Sequence, residues 1–123
     1  MKLSDISDIV NGVCNKVFAD AHVILINECQ FFKDIVPWVK CAVETHNKTV
    51  YICGLDGDYK RDGFGNWLSL ISFCDKITKQ HSLCGNCKTR EAIFTHRTSK
   101  DKQQELIGNM YIPLCRRCYT ISS

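Results

Sequence analysis

Near the start of the chain, apolar residues recur at helical spacing: Ile6, Ile9, Val10, Val13 and Val17. Ser4 is placed to cap such a helix, and Asp5 and Asp8 fall in its first turn, where negative charge is favourable. Gly12 weakens the helix a little. The pattern then changes. His22-Val-Ile-Leu-Ile-Asn27 is a short, nearly unbroken apolar run, which suits a strand covered on both faces in a parallel sheet. Asp34 is placed to cap a second helix with Pro37 in its first turn and Val36, Val39 and Val43 on one face. Thr49-Val-Tyr-Ile-Cys53 returns to the buried-strand pattern. Strand, helix and strand at this spacing predict a βαβ unit.

After the second strand the chain turns through Gly54, Gly57, Gly63 and Gly65, interleaved with Asp56, Asp58, Tyr59, Lys60, Arg61 and Phe64. A third helix is expected around 67–77, with Trp67, Leu70, Ile71 and Cys74 facing inward. From Ser82 onward the character is different: short β-like pieces, Ala92–Arg97 and Glu105–Ile107, lie between two CxxC pairs. The expected division is therefore an α/β portion over residues 1–81 and a metal-binding portion over residues 82–123.

Those pairs carry the strongest chemical signal. Cys84-Gly-Asn-Cys87 and Cys115-Arg-Arg-Cys118 offer four thiolates, the sulfur-rich tetrahedral set that zinc prefers. Four protein ligands leave no coordination position open, so the metal is expected to be structural. A redox CxxC needs no matching second pair, and disulfides are disfavoured inside cells; an iron–sulfur site is the remaining competitor. The other five cysteines of the nine (Cys14, Cys29, Cys41, Cys53, Cys74) sit singly in apolar or helical stretches and are expected to be small buried hydrophobes.

Length and charge narrow the picture little further. A chain of 123 residues suffices for one compact domain. A net charge of +3 gives no argument for a nucleic-acid or membrane partner. No apolar run approaches the roughly 20 residues of a spanning helix, and the N-terminus has no signal-peptide core, so a cytoplasmic protein is expected.

From Val23 to Tyr119 the chain resembles the type II thymidine kinases. The resemblance rests on motifs in order: Val-Ile-Leu-Ile-Asn27-Glu28-Cys29-Gln30-Phe31-Phe32; Leu55-Asp56-Gly57-Asp58-Tyr59-Lys60-Arg61; Cys84-Gly-Asn-Cys87 with Arg90-Glu-Ala92; Glu105-Leu-Ile-Gly108; and Tyr111 with Cys115-Arg-Arg-Cys118-Tyr119. It implies an α/β fold, part of a RecA-like P-loop parallel sheet followed by a zinc-ribbon lasso. It implies that Glu28 takes the proton from the nucleoside 5′-hydroxyl, that Gln30 and Phe31 line the nucleoside pocket, and that Leu55, Tyr59 and Phe64 pack around thymine. Arg61 then lies near the phosphates, and Thr95, Leu106, Gly108 and Tyr111 belong to the lasso that closes over the base. Structural zinc, ATP with Mg²⁺, thymidine, and a homo-oligomer (a tetramer in the family) are implied with them.

The chain departs from the family pattern in three places. It contains no GxxxxGK[ST] phosphate loop. Asn27 stands where the family usually has a magnesium-holding Asp, and an amide is a poorer partner for a hard dication. Ile107-Gly108-Asn109-Met110-Tyr111 is about two residues shorter than the family's lasso, a comparison made by resemblance alone. The reading is thus a thymidine kinase whose activity in this chain is in question. A non-catalytic pseudo-kinase subunit or zinc-ribbon interaction module is the alternative. A nucleic-acid-binding ribbon with Lys88, Arg90, Arg97, Lys100 and Lys102 as its basic face ranks third, because Glu91, Asp101 and Glu105 interrupt that face.

Overall fold

The computed structural model describes residues 15–98 and 111–122. The helix expected from Ser4 falls mostly outside them, as do Cys14 and the β-like piece Glu105–Ile107. The described residues gather into two compact units. The first runs to Asp56 and resumes over Phe64–Asp75; the second takes Gly57–Gly63 and the described residues from Lys76 onward.

The first unit is built on the expected βαβ pattern. Helix α1 (Asn15–Asp20) leads into β1 (Val23–Ile26), followed by a 3₁₀ turn (Cys29–Phe31), α2 (Ile35–Glu44) and β2 (Thr49–Ile52). The strands pair in parallel, Val23 opposite Thr49 and Ile26 opposite Ile52. Parallel pairing needs a crossover, and α2 supplies it. Ile35, Val39 and Ala42 form the buried stripe of α2. Asp34 occupies the N-cap position, yet its side chain makes no capping hydrogen bond. Ile26, Cys29, Ile35, Val39 and Leu70 make the core, with Ile24, Val50, Ile52, Trp38 and Phe73 among the half-buried residues packed on it.

Only one face of this sheet is covered among the described residues. The strands were expected to be buried on both faces, but Val23 is 54% exposed, Leu25 76% and Tyr51 63%. Period-two alternation puts exactly these side chains opposite Ile24, Ile26, Val50 and Ile52. The third helix is also corrected. Trp67–Ser72 is a 3₁₀ segment in which Leu70 is buried, whereas Ile71 and Cys74 are exposed. The tighter 3₁₀ winding has three residues per turn, so only one of every three positions faces the core. The lone cysteines are mostly not interior: Cys29 is buried, while Cys41, Cys53 and Cys74 are exposed.

The second unit is a set of short antiparallel pairs. Strand β3 (Ser82–Leu83) pairs with β4 (Glu91–Ala92), and β5 (Phe94–Arg97) pairs with β6 (Tyr111–Leu114), which runs into α3 (Arg116–Ser122). Its core is Cys84, Ala92, Leu114, Cys115, Cys118 and Tyr119, with Cys87, Phe94 and Ile112 packed against it. Such a core is too small to carry a fold unaided. Gly57–Gly63 is a tight loop closed by a bridge between its end glycines. The buried Asp58 carboxylate organises it by accepting from the backbone N–H groups of Lys60 (2.9 Å) and Asp62 (3.0 Å). Among the described residues, no helix is long and apolar enough to cross a membrane.

Candidate functional site

In the first unit the chemistry collects just past the C-terminal end of β1, the edge where open α/β sheets bind ligands. Asn27 and Glu28 follow the strand directly. Glu28 adopts a left-handed backbone conformation (φ 55°, ψ 42°) at the start of the 3₁₀ turn. Asn27 Oδ1 accepts from the Glu28 backbone N–H (2.9 Å) and from the Cys53 thiol (3.0 Å). The Cys29 backbone N–H donates to the Cys53 carbonyl (3.0 Å), tying this turn to the end of β2. Burial pushes the Cys29 thiol up to about 12, so it is inert at neutral pH.

Apolar surface flanks Glu28. The Phe31 and Phe64 rings meet edge to face at 5.4 Å, Phe64 buried and Phe31 partly open to solvent. Trp67 Nε1 donates to the Leu55 carbonyl (3.0 Å), fixing a loop whose Leu55 side chain is exposed. The Gln30 side-chain amide, itself buried, bonds both the Glu28 carboxylate and the Leu55 N–H.

In the second unit the ligating atoms of Cys84, Cys87, Cys115 and Cys118 all lie within 4.8 Å of one another. A tetrahedron with Zn–S bonds of about 2.3 Å has edges of about 3.8 Å, so the four sulfurs fit one ion with small adjustment. Among the described residues this is the one group of its kind. Hydrogen-bond donors surround the sulfurs. Arg90 Nε reaches Cys115 Sγ at 3.3 Å, Asn86 Nδ2 reaches Cys118 Sγ at 3.4 Å, and Thr89 Oγ1 reaches Cys87 Sγ at 3.4 Å. The Thr89 hydroxyl and nearby backbone N–H groups lower the Cys87 thiol to about 5, and Arg90 lowers Cys115 to about 7. On Cys87 and Cys115 these donors favour the thiolate form a divalent metal requires, whereas at Cys118 the Asn86 donor is outweighed by burial and the neighbouring cysteines, which raise the thiol.

An arginine–aromatic cluster adjoins the cysteines. Arg97 is buried, its guanidinium 3.8 Å from the centre of the Tyr59 ring, and its Nη2 donates to the Tyr111 hydroxyl (2.8 Å). The Tyr119 hydroxyl donates to the Tyr59 carbonyl. Arg61, with φ of 68°, lies over the rings of Tyr119 (4.7 Å) and Phe94 (5.1 Å).

A family model described as thymidine kinase matches residues 2–119. The chain belongs to the thymidine kinase family. It is 37% identical over 119 residues to a thymidine kinase of Oryza sativa subsp. japonica, covering 95% of this chain and 44% of that protein. Against a thymidine kinase of Sheeppox virus it is 36% identical over 114 residues, covering 91% and 60%. Against one from Bacteroides thetaiotaomicron it is 38% identical over 103 residues, covering 82% and 51%. The chain thus spans about half the length of the curated relatives it matches.

In this thymidine kinase family member, Glu28, Phe31, Leu55 and Phe64 fall in the first unit. Tyr59, Arg61, Thr95, Tyr111 and the four cysteines fall in the second. Leu106 and Gly108 lie outside the described residues. Thr95 sits mid-strand in β5, opposite Pro113. Sequence reading missed three residues. Arg97 was placed on a basic face, but it is the buried end of β5, and no local pattern in the sequence signals that. Arg90 was placed on the same face and instead serves the sulfurs. Tyr119 was noted only as the end of a motif.

Proposed function

We propose that this chain contributes the nucleoside side of a thymidine kinase site and a structural zinc centre. The observation that carries the reading is Glu28: a carboxylate at the C-terminal end of a parallel strand, flanked by Phe31, Leu55 and Phe64 in a chain of this family. In this reading Glu28 accepts the proton of the thymidine 5′-hydroxyl, a role worth about 10² to 10⁴ in rate. Phe31, Leu55, Tyr59 and Phe64 pack around thymine. Thr95, Leu106, Gly108 and Tyr111 form the lasso over the base, Arg61 serves the phosphates, and Cys84, Cys87, Cys115 and Cys118 hold zinc. The parallel pair β1–β2 is part of a RecA-like sheet, and the protein works in the cytoplasm as a homo-oligomer.

ATP and Mg²⁺ complete the reaction in the family, but the described residues of this chain do not form a site for them. The sequence has no GxxxxGK[ST] loop, and Asn27 Oδ1 is committed to the Glu28 N–H and the Cys53 thiol. Phosphoryl transfer depends on phosphate positioning and charge neutralisation, and one missing electrostatic donor costs about 10² to 10³ in rate. A polypeptide of these 123 residues is therefore expected to bind thymidine weakly and to transfer no phosphate from radiolabelled ATP. Joining a phosphate-loop segment upstream together with Asn27→Asp should restore transfer, and Glu28→Gln should remove it again. Thymidine phosphorylation by the 123-residue chain alone would overturn the expected inactivity, and equal binding of guanosine and thymidine in calorimetry would sink the nucleoside assignment. The engaged Asn27 amide also favours a second reading, a non-catalytic family member; failure of the joined, Asn27→Asp protein to phosphorylate thymidine would select it.

A further inference from the structure

Gln30 is the buried polar side chain nearest the proposed base, and its two ends do different things. Its relative exposure is 5%. One end is fixed by the backbone: the Leu55 N–H, which can only donate, points at Oε1 from 3.1 Å. That contact settles the orientation of the amide, so the NH₂ end must face the other way. There Nε2 donates to Glu28 Oε2 at 2.6 Å, a charge-assisted bond. Among the described residues it is the only hydrogen bond to that carboxylate, which leaves the second oxygen for a substrate hydroxyl.

The surrounding backbone is shaped to admit this strut. A methyl at Gly54 would overlap Gln30 Oε1 and press on the Cys29 sulfur, and one at Gly65 (φ 72°) would overlap the Gln30 carbonyl. Gly54 is thus accounted for by the Gln30 amide, and Gly65 by its positive φ and the close approach of the Gln30 backbone. Glu28 itself holds a left-handed conformation that non-glycine residues adopt infrequently. A long, exposed carboxylate on such a turn has several rotamers; one bond from a buried amide selects among them.

We infer that Gln30 is a positioning residue that aims the Glu28 carboxylate at the nucleoside hydroxyl, using the Leu55 backbone as its anchor. The role rests on the reading of Glu28 as the proposed base, whereas the strut itself can be tested without it. In a ¹³C,¹⁵N-labelled, zinc-loaded chain, the Gln30 side-chain amide is assigned through its bonded carbons and checked by its loss in Gln30→Met. Glu28→Ala leaves Gln30 in place and should shift that resonance and speed its solvent exchange about tenfold, the scale of one charge-assisted hydrogen bond. An unmoved resonance in folded Glu28→Ala overturns the proposal, whether or not Gln30→Met folds.

Thymidine titration supplies the second arm. Gln30→Met keeps bulk but removes the donor to Glu28, and Gly54→Ala displaces the amide without altering it. Thymidine affinity is expected to fall about tenfold in each. Retained affinity in both folded variants overturns the proposal. A wild-type chain that shows the amide response but no thymidine binding leaves the strut standing and removes the thymidine reading instead.

Discussion

The two units close their cores by different means. The first has a true apolar interior: Ile35 and Leu70 are fully or nearly fully buried, yet the outer face of its sheet carries exposed Val23, Leu25 and Tyr51. The second has almost no aliphatic interior, and four of its six core residues are not ordinary hydrophobes but cysteine and tyrosine. Hydrophobic burial scales with area and fails gradually. A four-thiolate centre is all or none, since losing one ligand removes the metal and with it most of the folding free energy. Substitution should therefore lower the stability of one unit by degrees and of the other at once.

The largest expected effect tests that contrast directly. Cys87→Ser, or a strong chelator, removes on the order of 10 kcal/mol or more and should unfold the second unit. Hydrogen exchange should then show β5, β6 and α3 unprotected while α2 keeps its protection. A sample without stoichiometric zinc, unchanged by chelation, would erase the comparison. The reverse experiment is Ile35→Ala, which deletes a fully buried side chain and should cost the first unit about 2–5 kcal/mol. Zinc content should not change, and a loss of metal in that variant would mean the units do not melt independently.

A smaller effect probes how Gly57–Gly63 is held. Arg97→Met keeps bulk but removes the cation over Tyr59, a contact worth about 0.5–2 kcal/mol. Faster exchange of the Lys60 and Asp62 amides, with zinc retained, is the expected outcome. Unchanged exchange would leave the loop to its own Asp58 turn.

Thiol labelling gives the finest distinction. At pH 8 Cys41, Cys53 and Cys74 should react with a maleimide well before Cys29, which is buried and neutral. Its raised pKa also sets a sign. The unfolded chain gives up this proton near 9 and the folded one near 12, so the stability contribution is full below about 9 and is lost as pH rises toward 12. Early labelling of Cys29 in the native protein would show that the first core is looser than its packing indicates.

What the sequence made legible follows the same divide. Regular periodicity revealed β1, α2 and β2, because one buried face imposes a fixed spacing on Ile24, Ile26, Val36, Val39 and Val43. The cysteine spacing revealed the metal site for an equally local reason. Features set by contacts distant in sequence stayed hidden. Nothing near Arg97 announces that Tyr59 will cover its guanidinium, so it read as a surface charge. Nothing in Asp-Gly-Asp-Tyr-Lys-Arg-Asp-Gly tells that the loop packs with residues far downstream. Exposure at Cys53 and Leu25 was misread because an apolar run looks the same whether one face of its sheet is covered or both.

The loop over Gly57–Gly63 has a consequence for biosynthesis. Its ends continue into the first unit, but the side chain that holds the Tyr59 carbonyl belongs to Tyr119, 60 residues later. A ribosome adding about 5–20 residues each second delivers Tyr59 roughly 3–12 s before its anchor exists. During that interval β1, α2 and β2 are all available to fold, while the loop between Asp56 and Phe64 has only its own Asp58 turn to hold it. Slowing translation after Phe64 should lengthen the lifetime of that nascent species, and the open loop should be the place where a protease present during synthesis cuts first.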